Sequence, residues 1–175
     1  MRVFSSGEKP TRNDVLEFGR RTRRNFEFIE NAHEENPEAP VHVVVQLTLS
    51  LLGIVIFPYE KADGLETVFA TTLAEIEGKG WLGWSIKLDS PPQNRTLTET
   101  LGRLFEHIRN AAAHGGLNFD SDSRSLSDVT ITAEDKPSTA KGQPPRPVNW
   151  RAEIEGLQLR KFCLSFLEAV ESKVS

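Results

Sequence analysis

From Thr96 to Leu117 the chain reads TLTETLGRLFEHIRNAAAHGGL, a stretch bounded at both ends as one helix, and the rest of the sequence is organised around it. Thr96 or Thr98 can cap its N-terminus, Glu99 places a negative charge in the first turn, and the Gly115-Gly116 pair supplies a left-handed stop. Leu101, Leu104, Phe105, Ile108, Ala111 and Ala112 recur at three- and four-residue steps and form an apolar face. Arg103, His107, Asn110 and His114 are read onto the opposite side, with Asn110 and His114 one turn apart. Arg109 is a different matter, because it sits roughly 140° around the axis from His114. The two can serve one ligand only if the arginine stem curls around the helix or a partner surface closes over its end. The plainer account is that Arg109 pairs with Glu106 or Glu99 and that His114 is favoured by the helix dipole.

Around this helix the chain divides into recognisable segments. A first helix is expected from about Asn13 to His33, with Val15, Leu16, Phe18, Phe26 and Ile29 as its apolar stripe and Gly19 weakening its middle. It carries the most basic run of the chain, with Arg20, Arg21, Arg23 and Arg24 around Thr22. That run is either a weak phosphate-contacting strip or a solvated face balanced by Glu17, Glu27 and Glu30 at helical spacing. The almost continuously apolar stretch from Val41 to Phe57 admits a short membrane span, a pair of strands or a helix buried on most sides. No turn signal splits it and it lacks flanking anchors, so a buried helix is the reading adopted. Leu65 to Glu77 has helical spacing and ends at Gly78-Lys79-Gly80. Trp81, Leu82 and Trp84 are read as a plug at a bundle end, followed by a loop from Asp89 to Arg95.

After Gly116 the texture changes. Asp128 to Thr132 alternates like a short strand, Val148 to Ile154 is a second, and the tract between them is rich in Lys, Pro, Gly, Ser and Thr. Residues 120–153 are therefore expected to form a hairpin with a mobile tip, inserted before a final helix from about Ile154 to Lys173. That helix should turn Leu157, Phe162, Leu164, Phe166, Leu167 and Val170 inward.

A chain of 175 residues is most simply one domain with a core of its own. The net charge of -4 argues against a protein that coats nucleic acid by bulk electrostatics, so any RNA contact must be local. The lone Cys163 falls in an apolar helical pattern, which suggests a buried thiol and a reducing compartment, and the first ten residues hold no apolar signal core; a cytoplasmic location is expected.

The segment Arg109-Asn110-Ala111-Ala112-Ala113-His114 resembles the R-x4-6-H signature of the HEPN superfamily, the higher eukaryotes and prokaryotes nucleotide-binding domains, in which Asn commonly follows the Arg. Gln46 to Lys61, with its Phe57-Pro58-Tyr59-Glu60-Lys61 exit, is similar to the long second helix of a bacterial, often plasmid-borne, branch of that superfamily. The likeness extends through Arg24 to Glu30 in the first helix and covers most of the chain except Asp120 to Pro147. It implies an all-α, up-and-down bundle of four to five helices with the small hairpin inserted before the last. It also implies a homodimer whose two motif copies line one cleft.

The chemistry is correspondingly simple. His33, His42, His107 and His114 are scattered and there is no cysteine pair, so neither a metal centre nor a cofactor is expected. No phosphate-cradling glycine loop and no Gly-x-Ser-x-Gly elbow is present. An imidazole and a guanidinium near one helix end suit cleavage of RNA: the first moves a proton, the second stabilises phosphorane charge. On this reading His114 is the general acid or base, Arg109 the phosphate contact and Asn110 an orienting group. Arg20, Arg21, Arg23, Arg24 and His107 are weaker candidates for RNA contact. The expected protein is a metal-independent endoribonuclease, a toxin or defence effector, acting on RNA and held in check by a neutralising partner. The alternative is a non-catalytic module that binds a nucleotide, RNA or a partner protein.

Overall fold

The computed structural model describes residues 12–38, 42–51, 53–54, 64–92, 95–137 and 146–172. Most of them are helical. The elements are α1 (Arg12–Glu35), α2 (Val43–Leu51), α3 (Glu66–Phe69), α4 (Leu73–Gly78), β1 (Ser85–Asp89), α5 (Leu101–Ala113), β2 (Leu117–Phe119), β3 (Thr130–Asp135), β4 (Trp150–Glu155) and α6 (Gly156–Ser172), with a 3-10 turn at Leu126–Asp128 before β3.

The expected hairpin forms: β3 and β4 pair antiparallel from Thr130 opposite Glu155 to Asp135 opposite Trp150. The all-α expectation needs correction, because this hairpin is the centre of a four-stranded antiparallel sheet in the order β1-β4-β3-β2. Two strands alone leave both edges unpaired, a weak arrangement in water. Ser85–Asp89, unassigned apart from a loop starting at Asp89, pairs with β4, and Leu117–Phe119 pairs with β3 directly after the glycine stop of α5.

α5 lies against this sheet. Leu101, Leu104, Phe105, Ile108 and Ala111 are fully buried, as the spacing requires. Facing them, Ile131 and Ala133 of β3 and Ala152 and Ile154 of β4 occupy alternate, inward positions. The helix begins later than expected. Its cap is Thr100, whose hydroxyl accepts from the Arg103 amide, and not Thr96 or Thr98. The residues before it are held elsewhere, since the Thr98 amide donates to Asp89 Oδ2 at 2.7 Å and Thr100 bridges Thr72. The glycine stop is as expected. Gly115 takes φ +67° and the Gly116 amide donates to the Ala111 carbonyl at 2.7 Å, which closes the last turn. A Cβ at Gly116 would run into the Glu134 carbonyl, so the chain can pass from α5 into β2 this close to β3 only with glycine.

The helical layer packs on the other side of the core. α1 runs somewhat longer than expected, and Val15, Leu16 and Phe26 are buried while Phe18 is exposed. Gly19 lies where α1 crosses α6, and a Cβ there would meet the Leu167 side chain, so its cost in helix propensity is the cost of close approach. α2 is a helix despite its valines, because Val43, Val44 and Leu47 find a packed surface against α1 and α6. It is not buried on most sides, for Val45 and Leu49 are about half exposed. The rest of the apolar run, 55–61 with the Phe-Pro-x-Glu-Lys exit, lies outside the described residues. Among the described helices none is long and apolar enough to cross a membrane.

The helix expected over Leu65 to Glu77 is split. Thr72 accepts from the Glu75 amide while the Glu75 carboxylate accepts from the Thr72 amide, a capping box that restarts the helix as α4. Trp81 and Trp84 are buried against Phe162 of α6, with ring centroids 5.7 and 6.4 Å apart, so they act as the expected plug. On α6, Phe162, Phe166, Leu167 and Val170 face inward, but Leu157 in the first turn is exposed. Cys163 is buried there, and desolvation pushes its thiol up to about 12, which keeps it inert near neutrality.

Candidate active site

The polar stripe of α5 does not face open solvent. It forms the floor of a cleft of about 500 Å³, also bordered by Pro92 and Arg95 and by the two ends of the β3-β4 connection, from Asp135 to Pro137 and from Arg146 to Asn149. Arg109, Asn110 and His114 all line it, with Arg103, Glu106 and His107. Arg109 and His114, roughly 140° apart around the helix, both line this one cleft within a single chain. His114 is the C-cap residue and is exposed, while Arg109 is half-buried.

The electrostatics of the cleft contrast with those of the chain. Among the described residues five cationic side chains, Arg95, Arg103, Arg109, Lys136 and Arg146, border it against two carboxylates, Glu106 and Asp135. An acidic chain thus carries a locally basic cleft. Glu106 gathers two of these cations: Arg95 Nη1 donates at 2.9 Å, and Arg103 donates to the other carboxylate oxygen. Burial works to raise its carboxyl, but the hydrogen bond and charge of Arg103 and the charge of Arg95 outweigh it and hold Glu106 below its ordinary value.

His107 requires a correction. The polar pattern sets it opposite the apolar face, yet it lies only about 40° from Ala111 around the axis. It is accordingly buried, 3% exposed. Its ring stacks on Trp150, with centroids 4.7 Å apart and planes 5° from parallel, and Nδ1 lies 2.7 Å from Asp135 Oδ2. Asn110 Nδ2 donates to the same oxygen at 2.9 Å. Asn110 is thus held by Asp135, a partner the sequence reading did not consider. The carboxyl of Asp135 is pushed up by burial, but the hydrogen bonds from His107 and Asn110 prevail and hold it below its usual range.

Asp135 is the residue that sequence reasoning missed. The expected strand stopped at Thr132. Followed three residues further, the alternation of Ile131, Ala133 and Asp135 puts a carboxylate on the buried face of β3, and such a group must find donors.

The basic run of α1 lies elsewhere and lines no part of this cleft. Arg20 pairs with Glu171, Arg21 with Glu17 and Arg23 with Glu27 at 2.8 to 3.0 Å, and Arg24 is exposed. Glu30 is engaged from α6 instead, by both forks of Arg160. Among the described residues no three His, Cys, Asp or Glu side chains lie together as a metal site would require.

The family model described as HEPN pEK499 p136 matches residues 7–175. The chain belongs to this HEPN family. No curated protein and no solved structure matches it. The HEPN assignment covers the helices, the sheet and the whole cleft, including the β3-β4 region that the motif resemblance left out.

Proposed function

We propose that this HEPN protein is a metal-independent endoribonuclease, with His114 as general acid or base and Arg109 stabilising the scissile phosphate. The observation that carries this reading is the convergence of Arg109, Asn110 and His114 on one cation-rich cleft. A guanidinium supplies permanent positive charge to a phosphorane, and an exposed imidazole can exchange protons with substrate at near-neutral pH. The nucleophile is the ribose 2′-hydroxyl. Its attack on phosphorus breaks the bond to the 5′-oxygen, leaving a 2′,3′-cyclic phosphate and a 5′-hydroxyl, and the imidazole moves one of the two protons involved.

The same reading takes the protein as a toxin or defence effector in the cytoplasm, held in check by a neutralising partner. Two-fold pairing, with the α5 helices near the axis, would bring two clefts together on a longer RNA. Arg109 and His114 already line one cleft within a single chain, and pairing would set a second copy of that cleft beside it.

The test is cleavage of a mixed-sequence RNA by wild type and by His114→Ala, with excess EDTA throughout. Cleavage by wild type that His114→Ala loses supports the proposal. Retention of RNA without cleavage by either protein would instead favour a non-catalytic binding module.

A further inference from the structure

The proposed chemistry uses His114 and Arg109 and leaves unexplained the most constrained side chain of the cleft. His107 is fixed on every side that the structure shows. Asp135 holds Nδ1, Trp150 of β4 covers the ring face, and α5 fixes the backbone. An ionised carboxylate can only accept, so the proton between the two belongs to His107 Nδ1. In the neutral ring, Nε2 then carries a lone pair. That atom is buried and has no hydrogen-bond partner, although the His107 side chain is part of the cleft wall. Asn149 Oδ1, from the strand entry on the same wall, is a second buried acceptor without a partner.

Buried polar atoms are nearly always satisfied, and two unpartnered ones in one cleft wall, the imidazole nitrogen accepting when the ring is neutral, are where a donor from outside would be held. The arrangement around Asp135 has a known logic: a buried carboxylate on one ring nitrogen sets the tautomer and aims the other at a ligand.

We propose that His107 Nε2, with Asn149 Oδ1 beside the same cleft, receives a neutral hydrogen-bond donor of a bound nucleotide, and that Asp135 is the positioning residue that presents it. The donor is either the amine of a base or the 2′-hydroxyl of a ribose, since each offers an uncharged hydrogen to a lone pair. The surrounding arginines and Lys136 would take the phosphate. This rests on the nuclease reading only for the identity of the ligand, because a binding module would need the same contact.

Binding is therefore measured without cleavage, by calorimetry in the His114→Ala background at mildly alkaline pH. The probes are the 3′-monophosphates of cytidine, uridine and 2′-deoxycytidine. His107→Asn can keep a donor near Asp135 while losing Nε2, and His107→Gln can return an acceptor near the Nε2 position. The first should bind the preferred probe about tenfold or more weakly, and the second should recover much of that loss. The 15N resonance of His107 Nε2 should shift when the probe is added, which a purely structural role would not produce. Preference for cytidine over uridine identifies a base amine; preference for ribose over deoxyribose identifies the hydroxyl. Equal binding of all probes, equal binding by a folded His107→Asn, or no binding by the parent would each overturn the assignment. Absence of RNA cleavage by wild type would overturn the nuclease reading and leave this one standing.

Discussion

α1 and the cleft beside α5 are both rich in arginine, and they use it in opposite ways. On α1, Arg21 and Arg23 meet Glu17 and Glu27 one turn away, the first pair exposed and the second partly so. Such pairs contribute little and screen one another. In the cleft, charges arrive from segments far apart in sequence, Arg95, Arg103, Arg109, Lys136 and Arg146, and two buried side chains, His107 and Asp135, lie behind them. Local density of basic residues makes a solvated helix face. Convergence of distant ones onto buried polar partners makes a site.

The largest expected effect concerns activity. Arg109→Ala and His114→Ala should each lower RNA cleavage by about 10²-fold or more, as loss of charge stabilisation or proton transfer does. Gln at Arg20, Arg21, Arg23 and Arg24 together should change the rate by less than about threefold, since these contribute only peripheral electrostatics. Comparable losses in both sets would erase the distinction between the two regions, provided the melting curves match.

Next is stability. Asp135→Ala leaves His107 Nδ1 and Asn110 Nδ2 without their common acceptor and should cost about 3 kcal/mol in urea titrations. Arg21→Ala should cost less than about 1 kcal/mol. If both costs were small, Asp135 would not be the anchor of the cleft.

The smallest effect is the acid limb of the stability curve. Asp135 has a lowered carboxyl in the folded state, so its ionisation stabilises the fold fully above the ordinary value of 3.8 and loses that contribution as pH falls through the folded value. The stability gap between wild type and Asp135→Ala should therefore hold steady above about pH 5 and shrink below about pH 4. A gap that widens on acidification would contradict the sign.

What the sequence made legible follows the same division. Features that depend on a few neighbouring residues could be read: the glycine stop of α5, the alternation of β3 and β4, the burial of Trp81 and Trp84, and the grouping of Asn110 with His114. Those that depend on distant partners could not. β1 is a strand because β4 offers it an edge, and α5 starts at Leu101 because Asp89 and Thr72 have already engaged the residues before it. His107 stands at the margin of the apolar stripe, where its polarity points to solvent and the helix geometry points inward. Asp135 holds the third inward position of β3, beyond Thr132, where a charged residue breaks the apolar alternation that marks a strand.

The central claim is that His114 and Arg109 drive attack by the ribose 2′-hydroxyl, and end-group analysis of the cleaved RNA tests it most directly. With EDTA present, the account predicts fragments carrying a 5′-hydroxyl together with a 2′,3′-cyclic phosphate or its 3′-phosphate hydrolysis product, and no cleavage at a 2′-deoxy nucleotide. Products bearing a 5′-phosphate, or undiminished cleavage by His114→Ala, would contradict it.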